Sequence, residues 1–268
     1  MKASPQSQLE TAWARFDDGD SDGAAELLTD ALESGDGELR GEALLLQCHI
    51  LIVRGQGDKA AAVLAEAAPL LPEDGECLTD AANVALAIGD ATLAGALSGR
   101  AIALDNSIAD AAYARGLAAL ALEDQATARD MFTRTAELDA SDPDPPWAMT
   151  IDEFAAVAEA ALEELPAPAA ERLENVPIIV EAAPSPELIA DGIDPRLLGL
   201  FSGVPLTERS SIEPGEPALD AIHLFQRNLE RSCSNRQELV DEIRVTVLHE
   251  TAHFFGLEDE DLEPLGLA

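Results

Sequence analysis

The chain has 268 residues, 47% of them hydrophobic, and sets 52 acidic side chains against 16 basic ones for a formal charge of −36. That apolar fraction is enough for packed cores and excludes wholesale disorder, and the length suits one or two domains. The acidity runs through the whole surface, with 27 acids and 9 bases up to residue 150 and 25 and 7 after it, a field that repels phosphate backbones and anionic lipid and so excludes nucleic-acid and membrane partners.

The opening MKASPQSQLE holds no apolar h-region, so no signal peptide is expected. No apolar run approaches the roughly 18 residues of a membrane span. Cys48, Cys77 and Cys233 form no C-x-x-C and read as reduced thiols. A soluble, cytoplasmic chain is the expectation.

Over residues 8–140 helical segments end in short acidic or glycine-containing breaks, each followed by an alanine-rich second helix. Asp58, Asp90 and Asp124 open three such second helices at spacings of 32 and 34 residues, and Asp22 lies 36 before Asp58. The second helices finish alike, at Leu71-Pro72, Leu104-Asp105 and Leu138-Asp139. Small residues such as Ala60, Ala61, Ala112 and Ala128 allow close helix approach. A helix–turn–helix period of about 34 residues resembles the tetratricopeptide repeat, and three to four copies are expected. Most of that family's Trp and Tyr anchors are absent, with Trp13 and Tyr113 in first-helix positions. His49, in the apolar run LLLQCHILIV, reads as a satisfied core side chain. Ser141-Asp-Pro-Asp-Pro-Pro146 then ends the array, since three prolines in six residues cannot continue a helix. The expected domains are 1–145, all-α helical repeats, and 146–268, a small α+β domain.

Past the linker, Ile151–Leu165 predicts an amphipathic helix with Phe154, Val157, Ala161 and Leu165 on one face. Val176–Val180 predicts a strand, and residues 183–196, with three prolines and Gly192, predict loop. Gly199–Leu206 and Ala221–Phe225 are strand candidates on either side of the Pro/Gly stretch Glu213–Pro217. His223, on the second, reads as a surface-facing strand histidine that is also within range of a cleft. The last long helix runs from about Arg236 to Phe255, with Asn235 and Glu238 as a capping box, a buried stripe of Leu239, Ile243, Val247 and Leu248, and Gly256 as its stop.

On the final turns of that helix stands His249-Glu250-Thr251-Ala252-His253. Histidines at i and i+4 lie one above the other on a helix face, so both imidazoles can reach one metal ion. Glu250 projects at an angle suited to a metal-bound water, from which it would take a proton as general base. Gly256 turns the chain back beneath the helix, and Asp259, ten residues after the first histidine, is placed to be the third ligand, with Glu260 the next choice. A two-His, one-carboxylate set also suits Mn²⁺, Fe²⁺ or Co²⁺. Zn²⁺ is preferred because the i, i+4 pair with an adjacent Glu is its usual arrangement.

HETAHFFGLEDEDLEPLGLA, with the upstream LLGLFSGVPLTER and AIHLFQRNLERSC, resembles the minimal zincin-like metallopeptidases of bacteria over about residues 152–268. The resemblance implies an active-site helix beside a small sheet, zinc held by His249, His253 and Asp259, and Glu250 as general base. It departs from larger metzincins in having Asp as third ligand and no Met after Met149, hence no Met-turn. Nine residues follow Asp259, so a shallow, open site is expected, suited to flexible segments or short peptides. The only tyrosine, Tyr113, lies in the repeat half, which leaves no nearby phenol as oxyanion donor. The expected function is a zinc-dependent metallopeptidase whose repeats recruit a protein partner or substrate. The alternative is a repeat-type protein-interaction module carrying a non-catalytic zincin-like domain.

Overall fold

Helix-capping chemistry and alanine packing account for the first half of the chain. The computed structural model describes residues 4–204 and 220–262, and the chain divides into two units between Ser141 and Asp142. The first unit is all helical: α1 (Pro5–Asp17), α2 (Ser21–Leu27), α3 (Thr29–Leu32), α4 (Gly37–Val53), α5 (Gly57–Ala67), α6 (Gly75–Ala87), α7 (Ala91–Leu104), α8 (Ala109–Ala121) and α9 (Gln125–Asp139). The pairs α4/α5, α6/α7 and α8/α9 are antiparallel hairpins, and successive first helices α4, α6 and α8 touch one another. This is the helix-pair stacking expected of a tetratricopeptide-like repeat.

One turn recurs in every pair. A residue at positive φ, Gly19 (84°), Gly55 (67°), Gly89 (80°) or Glu123 (60°), ends the first helix. The next residue caps the second: Asp20 accepts from the Gly23 N–H, Asp90 from Leu93 and Asp124 from Thr127. In the second copy Gln56 holds the cap position without a side-chain bond. The second helices therefore start at Ser21, Gly57, Ala91 and Gln125, spaced 36, 34 and 34. This corrects the register read from the aspartates, because the counterpart of Asp90 is Gln56 and Asp58 lies two residues inside the helix. Ala60, Ala112 and Ala128 are buried, as helix contact requires, but Ala61 faces solvent. His49 bonds Asp80 at 2.9 Å and sits against the Trp13 and Phe16 rings.

The second unit comprises α10 (Ile151–Glu163), α11 (Ala167–Leu173), β1 (Ile178–Glu181), α12 (Pro186–Ala190), β2 (Gly199–Ser202), β3 (Ala221–Phe225), α13 (Gln226–Ser232), α14 (Arg236–Phe254) and α15 (Asp259–Leu262). The sheet order is β1-β3-β2, with β3 parallel to β1 and antiparallel to β2. Ile178, Val180, Ile222, Leu224 and Phe201 pack on one side with Phe154, Ala158, Ile243 and Val247 of α10 and α14. The predicted loop over 183–196 in fact contains α12, whose start is set by Ser185 accepting from the Leu188 N–H and Pro186 in the first turn. The strand predicted over Val176–Val180 begins two residues later. Pro205, Leu206 and the Glu213–Pro217 stretch lie outside the described residues. Among the described residues no helix is long and apolar enough to cross a membrane.

Candidate metal centre

The site rests on α14. Its nineteen residues are capped by Asn235, whose Oδ1 accepts from the N–H groups of Gln237 and Glu238, both at 3.0 Å. Glu238 reaches back to the N–H of Ser234 at 2.7 Å, one residue beyond the partner a capping box would use. Leu239, Ile243 and Val247 anchor the helix in the core, which fixes the rotation that presents its last turns. Gly256, at φ +82°, ends it. The chain then doubles back, with the Gly256 N–H donating to the His253 carbonyl and that of Leu257 to Ala252, and α15 follows at once.

This reversal brings Asp259 up to the histidines. Nε2 of His249 and of His253 lie 2.9 Å apart, and the Asp259 Oδ1 is 3.5 and 3.2 Å from them. Among the described residues these three side chains form the one group of His, Cys, Asp and Glu able to hold a metal ion, their ligand atoms lying within 4.8 Å of one another. Four ligands about 2.0–2.1 Å from zinc are separated from each other by about 3.3 Å, so the three spacings suit a tetrahedral ion with one position left over. The tautomer also fits. Nδ1 of His253 lies 2.9 Å from the Leu257 carbonyl, which can only accept, so in the neutral ring Nδ1 carries the hydrogen and the Nε2 lone pair faces the group. Glu260 is exposed on α15 and is not in it.

Glu250 stands beside this group but is oriented by a different element. It is 6% exposed, and its Oε2 accepts from the Phe201 N–H at 2.7 Å. That amide is free of the ladder because, among the described residues, β2 is an outer strand and Phe201 directs its N–H away from β3. Gly199 makes the approach possible. A Cβ there would lie 2.7 Å from the Thr246 methyl and 3.0 Å from the Glu250 side chain. Burial pushes the Glu250 carboxyl above its usual range, against the Phe201 hydrogen bond and the charges of His249 and His253, which act the other way. A carboxylate held in this manner is a better proton acceptor than an exposed one. A cleft of about 210 Å³ runs alongside, lined by Leu198 and Gly199 on one side and by Glu242, Val245, Thr246 and His249 on the other. That is below the roughly 300–1,000 Å³ of most small-molecule pockets.

The motif brings together the four residues singled out from sequence. The Phe201 amide and Gly199 were not legible in it, because one is a backbone group and the other has no side chain. His223 is not in this cleft: it stands on the other face of the sheet, partly exposed, held between Glu181 and Ser202.

Residues 173–267 match the family described as zincin-like metallopeptidase, a stretch that starts later than the 152–268 expected and includes every residue named above. Two solved structures are similar in part. One, a crystal structure of MamA protein, is 20% identical with a TM-score of 0.42, over 59% of this chain and 79% of that one. The other, a MamA RS-1 ArsTM double mutant, is 17% identical with a TM-score of 0.43, over 64% and 91%. No curated protein matches the chain significantly.

Proposed function

We propose that the second unit is a zinc-dependent peptidase and that the helical repeats recruit its protein partner or substrate in the cytoplasm. The observation that carries this reading is the convergence of His249, His253 and Asp259 next to a buried carboxylate of separate orientation. His249, His253 and Asp259 would hold the ion, and the hydrogen bond from His253 to Leu257 keeps one imidazole in the ligating tautomer. When bound, zinc supplies Lewis acidity, which makes water nucleophilic near neutral pH and polarises a carbonyl. Glu250 takes the proton of the attacking water and returns it to the leaving amine. Its bond to Phe201 keeps the carboxylate from swinging into the metal group. The small open cleft favours short or flexible peptides over folded proteins.

Elemental analysis of the full chain and of His253→Ala tests the site. About one zinc per chain, lost in the variant, supports it. No metal in either after zinc is offered and excess removed would sink it. In a zinc-loaded chain, Glu250→Gln is expected to keep the metal and lose hydrolysis of an unstructured peptide by about 10²–10⁴-fold. Undiminished hydrolysis would remove Glu250 from its role.

A further inference from the structure

A second group of reactive side chains lies on the sheet face turned away from α10 and α14. Side chains alternate along a strand, and the register aligns Ile179 with His223 and His223 with Leu200. Glu181, two residues beyond Ile179, and Ser202, two beyond Leu200, therefore emerge on the same face as His223. The three close into one line. Nδ1 of His223 is 2.9 Å from the Glu181 Oε2, and its Nε2 is 3.0 Å from the Ser202 Oγ. A carboxylate only accepts, so in the neutral ring Nδ1–H donates to Glu181 and Nε2 is left as an acceptor. The Ser202 hydroxyl then donates to Nε2. Its other near neighbour, the Ala221 carbonyl, is farther, at 3.4 Å.

We propose that Ser202 is the nucleophile of a second, metal-independent acyl-transfer site, with His223 as its base and Glu181 orienting that base, open to unhindered carboxylic esters. A nucleophile bonded to a base that a third group orients is the arrangement that activates serine. Here each member comes from a different strand. The His223 side chain is 21% exposed and that of Glu181 38%, so a small ester can reach them. Ile179, 39% exposed, and Leu200 flank the histidine and offer an apolar floor to a short acyl chain.

The Ser202 oxygen attacks the ester carbonyl carbon while its proton passes to Nε2 of His223. The bond to the leaving alcohol breaks, and that oxygen takes the proton from Nε2. Water, deprotonated in turn by His223, attacks the acyl-Ser202 carbonyl, and the proton returns to the serine oxygen. Ester and water become acid and alcohol, with no oxidant or reductant.

The test uses the full chain in excess chelator, so it stands apart from the zinc reading. A fluorophosphonate forms a bond from Ser202 to phosphorus as fluoride leaves, and peptide mapping locates the adduct. About one equivalent on Ser202 is expected, together with a burst of about one equivalent of p-nitrophenol from the acetate ester. Ser202→Ala should abolish both, and His223→Gln should slow labelling about a hundredfold. If that variant does not fold, Glu181→Gln reads the same dependence and should slow labelling at least tenfold. A folded wild-type chain with no adduct on Ser202, an adduct that forms only without chelator, or labelling equally fast in the folded variants would each overturn the proposal.

Discussion

The two units settle their polar groups in opposite ways. In the repeats nearly every cap is local: Asp20, Asp90 and Asp124 each bond an amide three residues on, and the contact between helices is mainly apolar, with a few polar links such as His49 to Asp80. In the second unit the decisive bonds span long stretches of chain. Glu250 meets Phe201 across 49 residues, His223 meets Glu181 across 42, and the buried Glu230 accepts from the Met149 N–H across 81. Local capping makes a scaffold whose parts can be exchanged. Distant pairing makes a unit in which each polar group needs the whole fold, and there the chemistry is concentrated.

The largest effect should come from closing the approach between β2 and α14. Gly199→Ala places a methyl 2.7 Å from the Thr246 side chain and 3.0 Å from that of Glu250. Strand and helix must separate, at about 1–3 kcal/mol, and Phe201 is drawn away from Glu250. We expect a lower urea midpoint and, in zinc-loaded protein, at least a tenfold loss of peptide hydrolysis. Unchanged stability would mean that β2 is not pinned to α14.

Next comes Glu230, 2% exposed, which accepts from the Met149 amide at 2.9 Å and from Gln226 at 2.8 Å. Glu230→Ala leaves the buried Met149 N–H without its acceptor, while Gln226 keeps its bond to the Met149 carbonyl, and should cost about 1–3 kcal/mol. The comparison between units predicts less for Asp90→Ala in the repeats, about 1 kcal/mol, since only one cap bond is lost. Equal losses in urea unfolding would break the contrast.

This division also decides what can be read from sequence. The α14 motif, its stop at Gly256 and the limits of β3 follow from spacing within a few residues, and the helix pairs follow from a repeated turn. The cap register was misread at Asp58 because Gln56 in the second copy lacks the signature Asp. Helix α13 carries no start signal, since Phe225 precedes it directly and offers no capping side chain. α12 had a signal in Ser185-Pro186, hidden among other prolines. The line from Glu181 through His223 to Ser202 needs the pairing of three strands, which no local pattern encodes.

A smaller effect sharpens the repeat side. Three of the four turns place glycine at positive φ, and the fourth places Glu123 there, at 60°. A side chain in that conformation costs about 1–2 kcal/mol, partly offset by the greater freedom glycine has in the unfolded chain. Glu123→Gly should therefore stabilise the first unit by up to about 1 kcal/mol, read as a rise of a few degrees in its melting temperature. A fall would show that the Glu123 side chain makes a contact worth more than the strain.

The smallest effect is one of pH. Burial, then the charge of Asp80, pushes the Cys48 thiol up to about 12, and Cys77 reaches about 12 through burial and the charges of Glu42, Asp80 and Asp74. A thiol whose pKa is higher folded than unfolded favours the fold below the unfolded value, near 9, and that contribution drains away as pH rises toward 12. At pH 7 it is complete. At pH 9 the unfolded thiol is half ionised and the loss for Cys48 is about 0.4 kcal/mol. The stability difference between wild type and Cys48→Ala should hold constant from pH 6 to 8 and shrink between pH 9 and 10.5. Iodoacetamide, which needs the thiolate, should leave Cys48 unmodified in the folded chain at pH 8 and alkylate it quickly in urea. Rapid alkylation of the folded protein would mean that the helices around Cys48 open readily, and that local capping leaves the repeat unit looser than its packing suggests.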